Sequence, residues 1–285
     1  MQSVDAAWED WLATNVERGC TPESMTLAMV QAGFEPALAD SAVRRAMGGT
    51  VAAGAAAGMS WRAVTPYQYD PAPVSSDNLV RAFDRDVPVL MRCERPQIIV
   101  FGGVLSGDEC DELIERARHR LKRNTTIDPG TGQEDVIRAR TSEGTWFQRG
   151  DDAFIQRLDQ RIASLMNCPL ENGEGLQVMH YGPGAEYRPH FDYFPPDQPG
   201  SAVHTARGGQ RVATLIVYLN DVPDGGETIF PDAGLSVAGR QGGAVYFRYL
   251  NGLRQLDPLT LHGGAPVRAG EKWIMTKWMR EREYC

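Results

Sequence analysis

The sequence predicts a mainly β protein with flanking helices, its strands closing as a double-sheet jelly roll behind a small N-terminal helical module. Three observations predict this. After Leu176 the chain breaks into short β-type segments at 176–182, 186–193, 211–219, 226–230, 243–249, 259–262 and 272–279, separated by Gly, Pro, Asp and Asn. Two amphipathic helical patterns precede that run, as expected of helices packed outside the sheets. The first 47 residues have their own helical periodicity and are followed by a run of small residues.

Taken in order, Trp8, Trp11, Leu12 and Asn15 fit one helix. Thr21-Pro22 reads as an N-cap followed by proline at the first helical position, and Met25, Ala28, Met29 and Ala32 repeat at helical spacing until Gly33 stops them. Ala37 to Met47 makes a third helix. The Met and Trp stripe of this module is expected to be its own small core; the alternative is a surface that docks a partner. Residues 48–75, from a Gly/Ala run to Asp70-Pro71-Ala72-Pro73, read as a linker, so 76–285 is expected to fold on its own. Within that part Gln97 to Phe101 is a strand. Ser106-Gly107-Asp108-Glu109 is a capping box, starting a helix with Cys110, Leu113, Ile114 and Ala117 on its apolar face. A further helix from Asp151 to Met166 carries Phe154, Leu158, Ile162 and Leu165 on one side.

Composition excludes several function classes. With 42% hydrophobic and 23% charged residues, the 285-residue chain is that of a globular protein. Its net charge of -8 argues against a general nucleic-acid binder, which needs clustered cations against phosphate. No apolar run is long enough to span a bilayer, and Met1-Gln2-Ser3-Val4-Asp5 lacks the basic and apolar regions of a signal peptide, so no membrane partner is expected. Cys20, Cys93, Cys110, Cys168 and Cys285 are scattered without metal or disulfide spacing, which reads as reduced thiols in a cytoplasm.

The chemistry is carried by Tyr187-Arg188-Pro189-His190-Phe191-Asp192-Tyr193-Phe194. In a strand, residues two apart share a face, so His190 and Asp192 can converge on one metal ion. His262 offers a third ligand downstream. Two imidazoles and one carboxylate on one face of an octahedron form the donor set of non-haem Fe(II) oxygenases, with positions left open for a chelating 2-oxo acid and O₂. Lys272 is the candidate cation for the far carboxylate of such an acid, because a buried Lys without an anion is costly. A zinc hydrolase is disfavoured, since no His-Glu-x-x-His pattern exists. His119 at a helix end, His180 beside Tyr181 and His204 in a polar loop have plain structural or solvated readings.

From about Gln97 onward the chain resembles the prolyl 4-hydroxylases of the collagen-type and plant/algal branch, within the Fe(II)/2-oxoglutarate-dependent dioxygenases. The matching blocks are Arg140 to Phe147, Leu176 to Tyr181, Tyr187 to Phe194, Gly208 to Thr214, Gly225 to Thr228, and Lys272 to Trp278. The resemblance implies a double-stranded β-helix with His190, Asp192 and His262 as iron ligands and 2-oxoglutarate held by Lys272, Tyr181 and Thr228. It implies that Tyr187, Arg211, Trp278, Glu174 and Trp146 line a peptide groove, and that ascorbate serves as reductant. The implied reaction is hydroxylation of an unactivated C–H bond, C4 of peptidyl proline, with release of succinate and CO₂. The same chemistry on another residue, or on a free or carrier-bound amino acid, is the alternative, and a non-catalytic binding module with this fold is a further one. One departure bears on substrate: relatives often end the last motif in Lys-Trp-Leu-His, whereas here it reads Lys277-Trp278-Met279-Arg280. That places Arg280 among the candidate substrate residues.

Overall fold

A computed structural model describes residues 4–17, 20, 22–31, 34–47, 66–124, 126–127, 134–135 and 141–284. The expected cap at Thr21, the helix positions Ala32 and Gly33, the Gly/Ala part of the linker and Arg140 lie outside these residues. The chain divides into two compact units, with the change after Thr65; the first also takes in Pro196–Ser201.

The first unit contains α1 (Ala6–Glu17), α2 (Pro22–Gln31) and α3 (Pro36–Ala46). Glu35 caps α3 by accepting from the Leu38 amide, and Pro36 sits at its first position, where a missing N–H costs nothing. Leu12, Met25, Met29, Phe34, Ala39, Ala42 and Val43 are buried together. Trp8 packs edge-on against Trp11 and Phe34, with ring centroids 5.1 and 4.9 Å apart. The Met and Trp stripe is therefore the unit's own core.

The second unit runs β1 (Leu79–Ala82), β2 (Arg85–Glu94), β3 (Gln97–Phe101), α4 (Gly107–Arg118), β4 (Lys122–Arg123), β5 (Thr126–Ile127), β6 (Glu134–Asp135) and β7 (Glu143–Phe147). It continues through α5 (Ala153–Met166), β8 (Leu176–Tyr181), β9 (Tyr187–His190), α6 (Ser201–Thr205, in this unit from Ala202), β10 (Arg211–Tyr218), β11 (Asp224–Gly225) and β12 (Thr228–Phe230). The last elements are β13 (Leu235–Val237), β14 (Ala244–Arg248), β15 (His262–Gly264), β16 (Val267–Ala269) and β17 (Lys272–Arg280). A nine-stranded sheet has the order β1-β2-β3-β14-β10-β17-β8-β7-β4, and a four-stranded sheet has the order β13-β12-β15-β9.

Strand alternation builds two cores from one large sheet. Leu215 and Val217 of β10, Met275 of β17 and Val178 of β8 point outward, onto Leu113 of α4 and Leu158, Ile162 and Leu165 of α5. Ile216 and Tyr218 of β10, Ile274 of β17 and Met179 and Tyr181 of β8 point inward, joining Phe230 of the small sheet. β17 lies in the interior of the large sheet and is buried at every position, because both of its faces are covered. This is the expected jelly roll with outer helices, and the capping box at Ser106 and Glu109 is present.

Three expectations are corrected. Residues 66–75 belong to the second unit: Arg248 pairs with Asp70 at 2.6 Å, Asn251 donates to the Gln68 carbonyl at 2.8 Å, and Val74 is buried in the outer core. Pro71 and Pro73 make this segment an extended strap that finds its partners in the fold. Next, the strand expected over 186–193 ends at His190, and the chain bends through Asp192. Finally, 259–262 is mostly a 3₁₀ turn, Pro258–Thr260, capped by Asp257, and a strand begins only at His262. The β1–β2 hairpin and β7 went unpredicted: β1 is only four residues long, and β2 and β7 are half-exposed without clean alternation.

Candidate metal centre

The small sheet brings the two histidines together. β15 pairs with β9 so that His262 lies opposite His190, with ring centroids 4.5 Å apart. Asp192 arrives by the bend after β9, and its carboxylate reaches both rings: Oδ1 is 3.5 Å from His190 Nε2, and Oδ2 is 3.5 Å from His262 Nε2. One ligand atom from each residue lies within 4.8 Å of the others, close enough to share one metal ion. The convergence is as expected, but a turn rather than a continuous strand produces it.

Each donor is fixed from behind. His190 Nδ1 lies 2.9 Å from the Arg188 carbonyl, and His262 Nδ1 lies 3.0 Å from the Thr260 carbonyl. A carbonyl only accepts, so both Nδ1 atoms carry the proton and both Nε2 lone pairs face Asp192. Thr214 Oγ1 donates to Asp192 Oδ2 at 2.7 Å, and Tyr249 Oη lies 3.3 Å from that hydroxyl. Burial opposes ionisation of Asp192, but its electropositive surroundings, with the Arg211 guanidinium among them, hold its pKa below the usual carboxylate range. Burial among Phe230 and Phe247 drives His262 down to about 4, so its imidazole is neutral and ready to ligate. The donor set fits Fe(II).

The inner face of β17 continues the site. Lys272 pairs with Tyr181 of β8, and its ammonium sits 5.4 Å from that ring. Burial lowers Lys272 to about 8, only partly offset by Glu227, and no carboxylate among the described residues lies within ion-pair distance of it. A Cβ on Gly264 would stand 3.6 Å from Lys272 Nζ, so the ammonium abuts the bare backbone there. Gly264 is two residues past His262 on one strand, a rise of roughly 6–7 Å. The ammonium therefore lies beside the strand that carries His262, past the metal-ligating end of that strand. Thr228 is buried nearby, its Oγ1 accepting from Tyr218 Oη at 2.8 Å.

The other candidates spread outward from the histidines. Tyr187 stacks on His190 with centroids 3.6 Å apart. Arg211 lies 4.1 Å over the Trp278 ring, Trp146 packs 5.6 Å from Trp278, and Trp146 remains 41% exposed. Glu174 and Arg280 sit differently from the expected groove lining. Glu174 is buried and accepts from Arg211 Nε at 2.7 Å and Arg280 Nε at 2.6 Å, which hold its carboxyl below the usual range against burial. The Arg280 guanidinium is buried as well, donating to the His204 and Gly209 carbonyls at 3.0 and 2.8 Å. Both residues therefore brace Arg211 and the 204–209 segment. Arg211 in turn donates to the Asp192 carbonyl at 3.2 Å.

Thr214, Tyr218 and Tyr249 were missed by the sequence reading. Their one signal was Thr214, a hydroxyl in the otherwise apolar run of β10. His180 faces the helices, 2.9 Å from Glu271, as expected of a residue outside the site.

Residues 176–280, which hold this constellation, match the description of the 2OG-Fe(II) oxygenase superfamily. Probable prolyl 4-hydroxylase 3 of Arabidopsis thaliana is 41% identical over 208 residues, covering 66% of this chain and 71% of the relative. The chain belongs to the prolyl 4-hydroxylase family. Prolyl 4-hydroxylase 5 of the same plant is 39% identical over 208 residues, covering 66% of this chain and 70% of the relative. Among solved structures, the 2OG complex of a viral collagen prolyl hydroxylase from Paramecium Bursaria Chlorella virus-1 superposes with a TM-score of 0.51 at 31% identity, covering 64% of this chain and 95% of that one. As a member of this family the chain is a 2-oxoglutarate-dependent dioxygenase using Fe(II), 2-oxoglutarate and O₂.

Proposed function

We propose that this prolyl 4-hydroxylase homologue hydroxylates C4 of proline within a peptide or protein, with ascorbate as reductant. The observation that carries the reading is the His190–Asp192–His262 cluster with the buried Lys272 ammonium beside Gly264, two residues past His262 on β15. When bound, Fe(II), 2-oxoglutarate and O₂ supply the oxidising chemistry, ending in succinate and CO₂. The chain's part is to hold and to exclude. His190, Asp192 and His262 hold the metal, and Lys272, with Tyr181 and Thr228, fixes the distal carboxylate. Tyr187 over His190 and the Arg211–Trp278–Trp146 row line an aromatic, cationic wall on which an extended proline-containing chain can lie. Glu174 and Arg280 keep that wall in place. Lys272 and His262 are buried, so water has little access to that end of the site.

The test is mass spectrometry of proline-rich peptides incubated with enzyme, Fe(II), 2-oxoglutarate and ascorbate. The expected product is a peptide with one added oxygen, mapped to proline C4. Oxygenation confined to a free amino acid, with peptides untouched, would replace the peptidyl reading by the small-molecule one.

A further inference from the structure

A buried hydroxyl on the inner face of β17 has no partner. Lys272, Ile274, Thr276 and Trp278 alternate on that face, and Thr276 is 2% exposed. Among the described residues, Thr276 Oγ1 is a buried side-chain polar atom without a hydrogen bond. Burying a hydroxyl unsatisfied is unfavourable, and valine would fill the same volume without that cost. Of the other orphans, Tyr246 Oη and Trp273 Nε1 lie on the helix-covered side of the sheet, while Trp278 Nε1 is on the inner face two residues further along, its ring under Arg211. Thr276 faces the site.

Register places it closely. Thr276 pairs with Ile216 of β10, and the next pair on that face is Trp278 with Thr214. Thr276 and Thr214 are thus diagonal neighbours, about 7–8 Å apart at the backbone. Thr214 Oγ1 touches Asp192, so Thr276 stands one step from the metal's carboxylate, on the side toward Lys272. The remaining pair partner, Gln177, is engaged with Asn124 at 3.3 Å.

We infer that Thr276 donates a hydrogen bond to the metal-proximal end of 2-oxoglutarate, so that β17 grips the cosubstrate at both ends: Lys272 at the distal carboxylate, Thr276 at the carboxylate and keto oxygen beside the metal. The inference rests on the proposed cosubstrate site. A hydroxyl orphaned in the free protein is satisfied on binding, and its isosteric loss is felt by the ligand rather than by the fold.

The test uses the full chain loaded with Mn(II) in place of Fe(II), and reads 2-oxoglutarate binding by calorimetry and by thermal shift. Thr276→Val is expected to melt at or above wild type without cosubstrate, and to bind 2-oxoglutarate about tenfold more weakly or worse, the scale of one lost hydrogen bond to a charged group. Thr276→Ser keeps the hydroxyl and should bind within about threefold of wild type on the same scale. If Thr276→Val does not fold, comparing Thr276→Ser with Thr276→Ala reads the same difference. Equal affinity in wild type and in the hydroxyl-free variant overturns the role of Thr276. Absence of 2-oxoglutarate binding in wild type overturns the cosubstrate site itself, and this is distinguishable because the wild-type arm then fails as well.

Discussion

At the residue scale, the site is a set of groups each fixed by the partners behind it. His190→Ala or His262→Ala leaves two ligands, and each variant is expected to lose tight Fe(II) binding and all 2-oxoglutarate turnover while keeping its far-ultraviolet dichroism. Metal content after dialysis, with oxygen consumption alongside, checks this; a metal-replete His262→Ala protein would refute the ligand set. Lys272 gives a pH signature. Its pKa in the free protein is about 8, lowered by burial from 10.5. The folded state therefore holds fewer protons here than the unfolded state between those values. This group's penalty on stability is full below about 8 and is relieved as pH rises toward 10.5. Binding runs the other way, because a dicarboxylate needs the ammonium. Affinity for 2-oxoglutarate should hold up to about pH 8 and then fall, about tenfold per pH unit, in a titration of Kd against pH. Lys272→Met should remove that dependence, lose most of the affinity and raise the melting temperature of the free protein. The convergence of His190, Asp192 and His262 was legible because a His-x-Asp pair and a distant His have a recognisable order. Thr214 was not, since a threonine in a strand is unremarkable until its hydroxyl's neighbours are known.

At the element scale, β17 is fastened to α5 through an ion pair buried inside the outer core. Lys277 Nζ meets Asp159 Oδ1 at 2.6 Å and also donates to the Glu174 carbonyl, while Asp159 Oδ2 accepts from the Gly150 amide at 2.9 Å. Removing the lysine alone leaves a buried carboxylate uncompensated, so Lys277→Ala should cost about 3–5 kcal/mol in a urea melt, with Lys277→Met/Asp159→Leu recovering much of it. The strands β10, β14 and β17 were readable because alternation feeds two cores and every position is apolar or anchored. The bend at Asp192 and the 3₁₀ turn before His262 were not readable: tertiary pairing of β15 with β9, rather than local propensity, fixes where each strand ends. The strap shows the same limit. Pro-rich 66–75 looks like a spacer, and only Arg248, Gln97 and Asn251 across the fold reveal it as packed.

At the scale of the whole molecule, that strap decides where the chain can be cut. A polypeptide beginning at Ser76 loses Asp70 from Arg248 and Val74 from the core, whereas one beginning at Pro66 keeps both. The Pro66 form is expected to fold, bind iron and decarboxylate 2-oxoglutarate, and the Ser76 form to melt several degrees lower or precipitate. Thermal melts of the two proteins side by side check this, and equal stability would return the strap to the status of a spacer.

The position of β17 in the sheet has a consequence in time. It is the last of the sheet's strands to leave the ribosome, yet it lies between β10 and β8, with β1-β2-β3-β14-β10 on one side and β8-β7-β4 on the other. Until it arrives, the nascent chain carries two partial sheets whose facing edges are bare, the kind of surface that recruits other strands. The same late strand brings Lys272, Thr276, Trp278 and Arg280. Assembly of the sheet and completion of the pocket are therefore one vectorial event, and a nascent chain stalled before Lys272 is both inactive and prone to aggregate.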